Sequence, residues 1–154
     1  MKVDMTNSFV AAACEVLQKE LHSEVDRGPI SLTTSSETSD EVTAMLAVTG
    51  QVRGMVLYGM SNSTARAMAS LMIGQDCPDL DELAQSAIAE LANMITGRAG
   101  VLMEAVAVEA DISPPALVLG DGASISTVDL RRMIVPLSTD CGAISVHLAL
   151  AEAA

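Results

Sequence analysis

The 154-residue sequence predicts an α+β fold, a mostly antiparallel β-sheet packed against long helices, and three observations support that expectation. Apolar periodicities fall in the order helix, hairpin, two helices, then several strands, which is not the βαβ alternation of a doubly wound sheet. Half of the residues are apolar, enough for a chain of this size to bury a real core. No internal repeat, low-complexity tract or linker divides the chain, so a single domain over residues 1–154 is expected.

Thr6, Asn7 and Ser8 offer helix N-caps, and Phe9, Val10, Ala13, Val16, Leu17 and Leu21 then recur at helical spacing. They predict a first amphipathic helix that ends before Gly28-Pro29. Ser31 to Ser39 mixes turn formers with strand formers and reads as either an irregular connection or an edge strand. Glu41–Thr49 and Val52–Gly59 are β-branched and aliphatic runs separated by Gly50-Gln51, the pattern of an antiparallel hairpin. Ser61-Asn62-Ser63 can cap a second helix carrying Ala65, Met68, Ala69, Leu71 and Met72, with a stop at Gly74.

A third helix is expected from Asp79 or Leu80 to about Val106, with Asp79, Asp81 and Glu82 at the positive end of its dipole. Ser113-Pro114-Pro115 and Gly120-Asp121-Gly122 then punctuate short apolar runs. Met133, Val135 and Leu137 alternate as in a strand before a turn at Asp140-Cys141-Gly142, and Ile144, Val146, His147, Leu148 and Leu150 predict a closing strand.

Composition excludes several functions. Twenty acidic against eight basic side chains give a formal charge of -12, which repels a phosphate backbone or an anionic membrane. The acidity serves either solubility or the steering of a basic partner face. No nucleic acid and no membrane partner is expected, and with neither an apolar leader behind Lys2 nor a spanning apolar stretch, a cytoplasmic location follows. Phe9 and Tyr58 are the only aromatics, so aliphatic residues and ten methionines must fill the core. Cys14, Cys77 and Cys141 fit neither a disulfide framework nor a CxxC motif and read as reduced, packed thiols. His22 and His147 lie in no zinc-type spacing, so no metal ligand is assigned.

The third helix carries the distinctive pattern. At about 100° per residue, Ser86, Glu90, Asn93 and Gly97 fall within a stripe roughly 60° wide, which Asp79 and Glu82 extend. Ala84, Ala87, Ile88, Leu91, Ile95 and Leu102 occupy the opposite side, so the polar stripe must face solvent or a partner. A Glu-x-x-Asn spacing alone is common and fits a solvated face.

Its surroundings are more specific. Ser86-Ala87-Ile88-Ala89-Glu90-Leu91-Ala92-Asn93-Met94-Ile95-Thr96-Gly97 closely resembles the Ser/Asp-x-x-x-Glu-x-x-Asn signature of the CheC/CheX phosphatase family. Phe9 to Leu17, Gly50-Gln51-Val52-Arg53-Gly54 and Asp111-Ile112-Ser113-Pro114-Pro115 resemble the family's first helix, central hairpin and post-motif segment. CheC proteins usually carry two such motifs, whereas CheX proteins carry one and act as homodimers. One is present here, so the resemblance is to the CheX branch. FliM-like switch proteins share the fold without the phosphatase residues.

The resemblance implies hydrolysis of the aspartyl phosphate on a CheY-like receiver domain, with Mg²⁺ supplied by the receiver and no cofactor bound by this chain. Asn93 corresponds to the residue that orients a water for in-line attack, a task suited to an uncharged donor and acceptor beside anionic oxygens. Glu90 corresponds to the acid that pairs with the receiver's lysine. Ser86 matches the third signature position, as a docking hydroxyl or a plain exposed serine, and Gly97 would admit a close partner backbone. Glu82 extends the partner-binding stripe. The resemblance also implies a homodimer, for which Ala143 to Leu150 would offer an unpaired strand edge. The alternative is a non-catalytic adaptor that binds a receiver or a motor-switch component through the same helix.

Overall fold

The computed structural model describes residues 2–33, 36–38, 40–127 and 130–152. In chain order these form α1 (Lys2–Leu21), β1 (Asp26–Arg27), β2 (Ser31–Thr33), β3 (Ser36–Thr38), β4 (Val42–Gly50), β5 (Val52–Met60), α2 (Asn62–Ile73) and α3 (Glu82–Ala105). They continue with β6 (Ala110–Ile112), β7 (Ala116–Leu119), β8 (Ser124–Ser126), β9 (Arg132–Thr139) and β10 (Gly142–Glu152). The main sheet runs β1-β9-β10-β5-β4-β6, with β2 also on β9 and β7 also on β4. Every pairing in it is antiparallel. The α+β expectation holds.

Alternation along the strands sends one set of side chains toward the helices. Val42, Ala44, Leu46 and Val48 of β4, Val56, Tyr58 and Met60 of β5, and Ile144, Val146 and Leu148 of β10 are buried there with Phe9, Leu17, Ile88, Leu91 and Ile95. Leu57 and Ala149 are also buried but point to the other sheet face, outside this cluster. α1 and α2 both pack against α3, so α3 is the middle of the helical layer.

Two expectations change and one open reading is resolved. Thr6, Asn7 and Ser8 lie inside α1, which starts at Lys2. Met5 is 3% exposed and joins the core, so tertiary packing extends the helix upstream of the residues expected to cap it. β10 is paired on both sides from Ile144 to Leu148: Ile144–Glu152 pair with β5 and Gly142–Leu148 with β9. Most of the segment expected to be an unpaired edge, Ile144 to Leu148, therefore lies in the interior of the sheet and offers a second copy no edge. Ser31–Ser39, left open above, contributes β2 against β9 and β3 against β8, while residues 34, 35 and 39 lie outside the described set.

The hairpin forms as expected, with Gly50 at φ +111. The side-chain amide oxygen of Gln51 accepts from Glu109 N at 2.6 Å, and Gln51 N donates to Glu109 O at 3.1 Å. These bonds fix the segment that follows α3 to the hairpin tip.

Candidate functional site

The α3 helix starts later than expected. Asp81 is its N-cap, in extended backbone, and its carboxylate accepts from Ala84 N at 2.9 Å. Gln85 Nε2 donates to Leu80 O at 2.9 Å and secures the entry turn. Asp79 therefore precedes the helix and does not extend the stripe, because the local cap at Asp81 competes successfully with further helix. Glu82 is the first helical residue and is exposed.

The back of α3 is buried through Ala84, Ile88, Leu91, Ala92, Ile95, Thr96, Ala99 and Met103. This arc is wider than the apolar stripe predicted, since neighbours flank α3 on both sides and bury Ala92, Thr96 and Ala99 as well. Thr96 Oγ1 donates to Ala92 O at 2.9 Å and lies 2.7 Å from the Tyr58 hydroxyl. Thr96 has one hydroxyl proton and gives it to Ala92, so Tyr58 is the donor to Thr96. Burial holds the Tyr58 phenol well above its ordinary value. This bond ties α3 to β5 one turn beyond Asn93, and the sequence reading missed it. A lone threonine beside the apolar arc was the available signal.

The front of the helix is open. Ser86 and Glu90 are exposed, Asn93 and Gly97 half-buried. Glu90 and Asn93 lie about 4.5 Å apart along the axis, close to one turn. Among the described residues neither side chain has a hydrogen-bond or ion-pair partner, and that of Ser86 has none either. A Cβ added at Gly97 or Gly100 would meet nothing within 4 Å, so neither glycine is required by packing inside the chain. On the α1 flank, Arg98 Nε and Nη2 donate to the two Glu15 carboxylate oxygens at 2.8 and 3.2 Å. The hydrogen bond from Arg98 holds the exposed Glu15 carboxyl below its ordinary value. The Arg98 guanidinium is thus committed to Glu15.

The remaining candidates lie elsewhere. His147 is buried on β10, on the sheet face away from α3, and His22 follows the end of α1 with φ +50. Among the described residues no group of three or more His, Cys, Asp and Glu could hold a metal ion. The three cysteines are free and half-buried, and burial raises the Cys14 and Cys141 thiols. No helix among the described residues is long and apolar enough to cross a membrane. What α3 presents is a convex polar stripe, braced from behind.

The family model described as "Chemotaxis phosphatase CheX" matches residues 42–138, which run from β4 to β9 and include all of α3. The chain belongs to the CheX family. The CheY-P phosphatase CheX of Thermotoga maritima is 31% identical over 121 residues, 78% of each chain. A CheC-like superfamily protein from Shewanella sp. PV-4 superposes with a TM-score of 0.86 at 25% identity, covering 98% of this chain and 99% of the other. A CheX–CheY–BeF3–Mg²⁺ complex from Borrelia burgdorferi superposes with a TM-score of 0.81 at 28% identity, covering 96% and 97%. CheX membership agrees with the single Glu-x-x-Asn motif found on α3.

Proposed function

We propose that this CheX-family chain is a phosphatase that removes the aspartyl phosphate from a CheY-like receiver domain. Asn93 orients the attacking water and Glu90 pairs with the receiver's lysine. The observation that carries this reading is the pair itself: an exposed carboxylate and a half-buried amide, one turn apart and unpartnered within the chain, on a helix held from behind. Amides and carboxylates left without internal partners are available to an external one.

Glu90 and Asn93 stand on the outer side of the helix, so the partner provides the rest of the reaction centre. The receiver brings the phosphoaspartate and Mg²⁺, and this chain brings no metal or cofactor. Asn93 can accept a hydrogen bond from water through its carbonyl oxygen while its NH₂ donates to anionic oxygen, which positions water in line without adding charge. A carboxylate at this position would repel the phosphoryl group. Glu90, one turn away, forms a charge-assisted pair with the lysine and sets where Asn93 points. Ser86, Gly97 and Glu82 complete the contact surface on the same helix. The relation to the Borrelia burgdorferi CheX–CheY–BeF3–Mg²⁺ complex supports this partner class.

Replacement of Asn93 by Ala should slow dephosphorylation by roughly 10² to 10³, the usual loss for one preorganised transition-state contact, while leaving affinity for a BeF3-loaded receiver largely intact. Glu90→Ala should weaken binding as well. Both side chains lie off the buried face, so thermal stability should change by no more than about 0.5 kcal/mol. Phosphate release by Asn93→Ala at the wild-type rate would leave the adaptor reading in its place. We also propose a cytoplasmic homodimer. With β10 interior, the exposed edge residues Ile30 and Leu32 beside β9 are the available surface for a second copy. Light scattering at micromolar concentration should give twice the chain mass, and a one-chain mass would exclude the dimer.

A further inference from the structure

Large apolar side chains are exposed at few places among the described residues, and two of them lie on α3: Leu83 at 53% and Val101 at 52%. They are 18 residues apart, which at about 3.6 residues per turn is five whole turns, so they project from the same side of the helix. That side is about 20° around the helix from Glu90 and about 80° from Asn93, and along the axis the midpoint of the two is residue 92, between Glu90 and Asn93. Their separation along the axis is roughly 27 Å. A specific interface of ordinary size buries about 800 Å² per partner, a patch on the order of 32 Å across. Both leucine and valine therefore fall within one footprint centred on the polar pair.

Neither belongs to the buried core, and each leaves about half of its surface open. The helix already buries a full arc on its other side. Val is a poorer helix former than Ala, and Val101 still leaves half of its surface to solvent. Between Asn93 and Val101 the stripe also carries Gly97 and Gly100, whose Cβ positions are open, so an approaching surface can reach the helix backbone and the side of Val101.

We propose that Leu83 and Val101 are apolar anchors for the phosphorylated receiver, one at each end of the footprint whose centre is Glu90 and Asn93. This rests on the receiver-phosphatase reading and adds to it the residues that set affinity. The polar pair performs chemistry and registers the lysine, while the two apolar ends are desolvated on docking and hold the receiver in place. Removing the two apolar side chains from water adds favourable free energy to docking without touching the groups that carry the chemistry.

The test measures binding apart from turnover. Wild-type, Leu83→Ala, Val101→Ala, the double variant and a control, Leu119→Ala on β7, are titrated calorimetrically against receiver proteins of the source organism loaded with BeF3⁻ and Mg²⁺. Phosphate release is followed at saturating phosphorylated receiver. Each anchor variant should bind about tenfold more weakly, and the double variant about a hundredfold, because sites this far apart act additively. Turnover at saturation should stay at the wild-type rate, and Leu119→Ala should bind as wild type. Val101→Ala should melt no lower than wild type, since Ala is the better helix former, so weaker binding could not be ascribed to unfolding. Anchor variants that bind within twofold of wild type would overturn the proposal. If Asn93→Ala still loses turnover in that case, the phosphatase reading survives without the anchors. A wild-type chain that binds no loaded receiver would end both.

Discussion

Thr96 offers a way to perturb the support behind the stripe without touching the stripe. Thr96→Val keeps the shape and removes the hydroxyl that accepts from Tyr58, leaving a buried phenolic O–H with no acceptor. An unsatisfied buried donor costs about 1 to 3 kcal/mol. The bond to Ala92 O is also lost, but that carbonyl retains its place in the helical ladder, so its loss adds little. Tyr58→Phe removes the donor instead and leaves an acceptor already attached to a donor of its own, which should cost about 0.5 to 1.5 kcal/mol. The double variant replaces both partners by apolar groups of similar shape, and should be less destabilised than the sum of the singles. At about 2 to 4 °C per kcal/mol for a domain of this size, Thr96→Val should lower Tm by roughly 4 to 8 °C, centred on 2 kcal/mol. Urea melts of the four proteins supply the coupling energy. Singles whose effects simply add would mean that the hydroxyls are not coupled, and the account of how α3 is held to β5 would be wrong.

The same tyrosine predicts an alkaline limit. Burial raises its folded pKa above the ordinary value near 10, so the folded state keeps a proton that the unfolded state releases. Its contribution is fully present below about pH 10 and falls as pH rises from there toward the folded value. The chain has one Tyr and no Trp, so tyrosinate absorbance should appear together with unfolding; ionisation of Tyr58 in a protein with an intact far-UV spectrum would contradict the burial argument. Gly54→Ala should be the most damaging single-methyl addition in the sheet. Gly54 has φ +143, and its added Cβ would run into the Ala149 carbonyl of β10, so a loss of more than about 3 kcal/mol is expected in urea unfolding.

Much of the architecture was legible because local patterns agree with the final packing. The β4–β5 hairpin, the α2 stop at Gly74 in left-handed backbone, and β9 with β10 all follow from periodicity and turn residues. What stayed hidden depends on neighbours distant in sequence. Thr6 to Ser8 look like caps until the burial of Met5 is known, and Ala143 to Leu150 look like an edge until β5 and β9 are seen on either side. At the candidate site, Ser86, Glu90, Asn93 and Gly97 were found by helical spacing and family resemblance, because the signature sits on one continuous helix. Thr96 and Tyr58 were not, since their bond joins residues 38 apart. Asp79 was misplaced because a dipole argument does not decide which of several acids caps the helix.

The interior position of β10 has a consequence for how the chain is made. It is the last of the described strands to leave the ribosome, yet both β5 and β9 take it as a neighbour. Until then β5 has β4 on one side and a row of unpaired amides and carbonyls on the other. The helices therefore have only fragments of a platform to settle on during synthesis, and the sheet closes in one late, long-range step. A nascent chain stalled before residue 142 would present an open apolar sheet edge to every other protein around it, which makes this the interval in which chaperone attendance matters most.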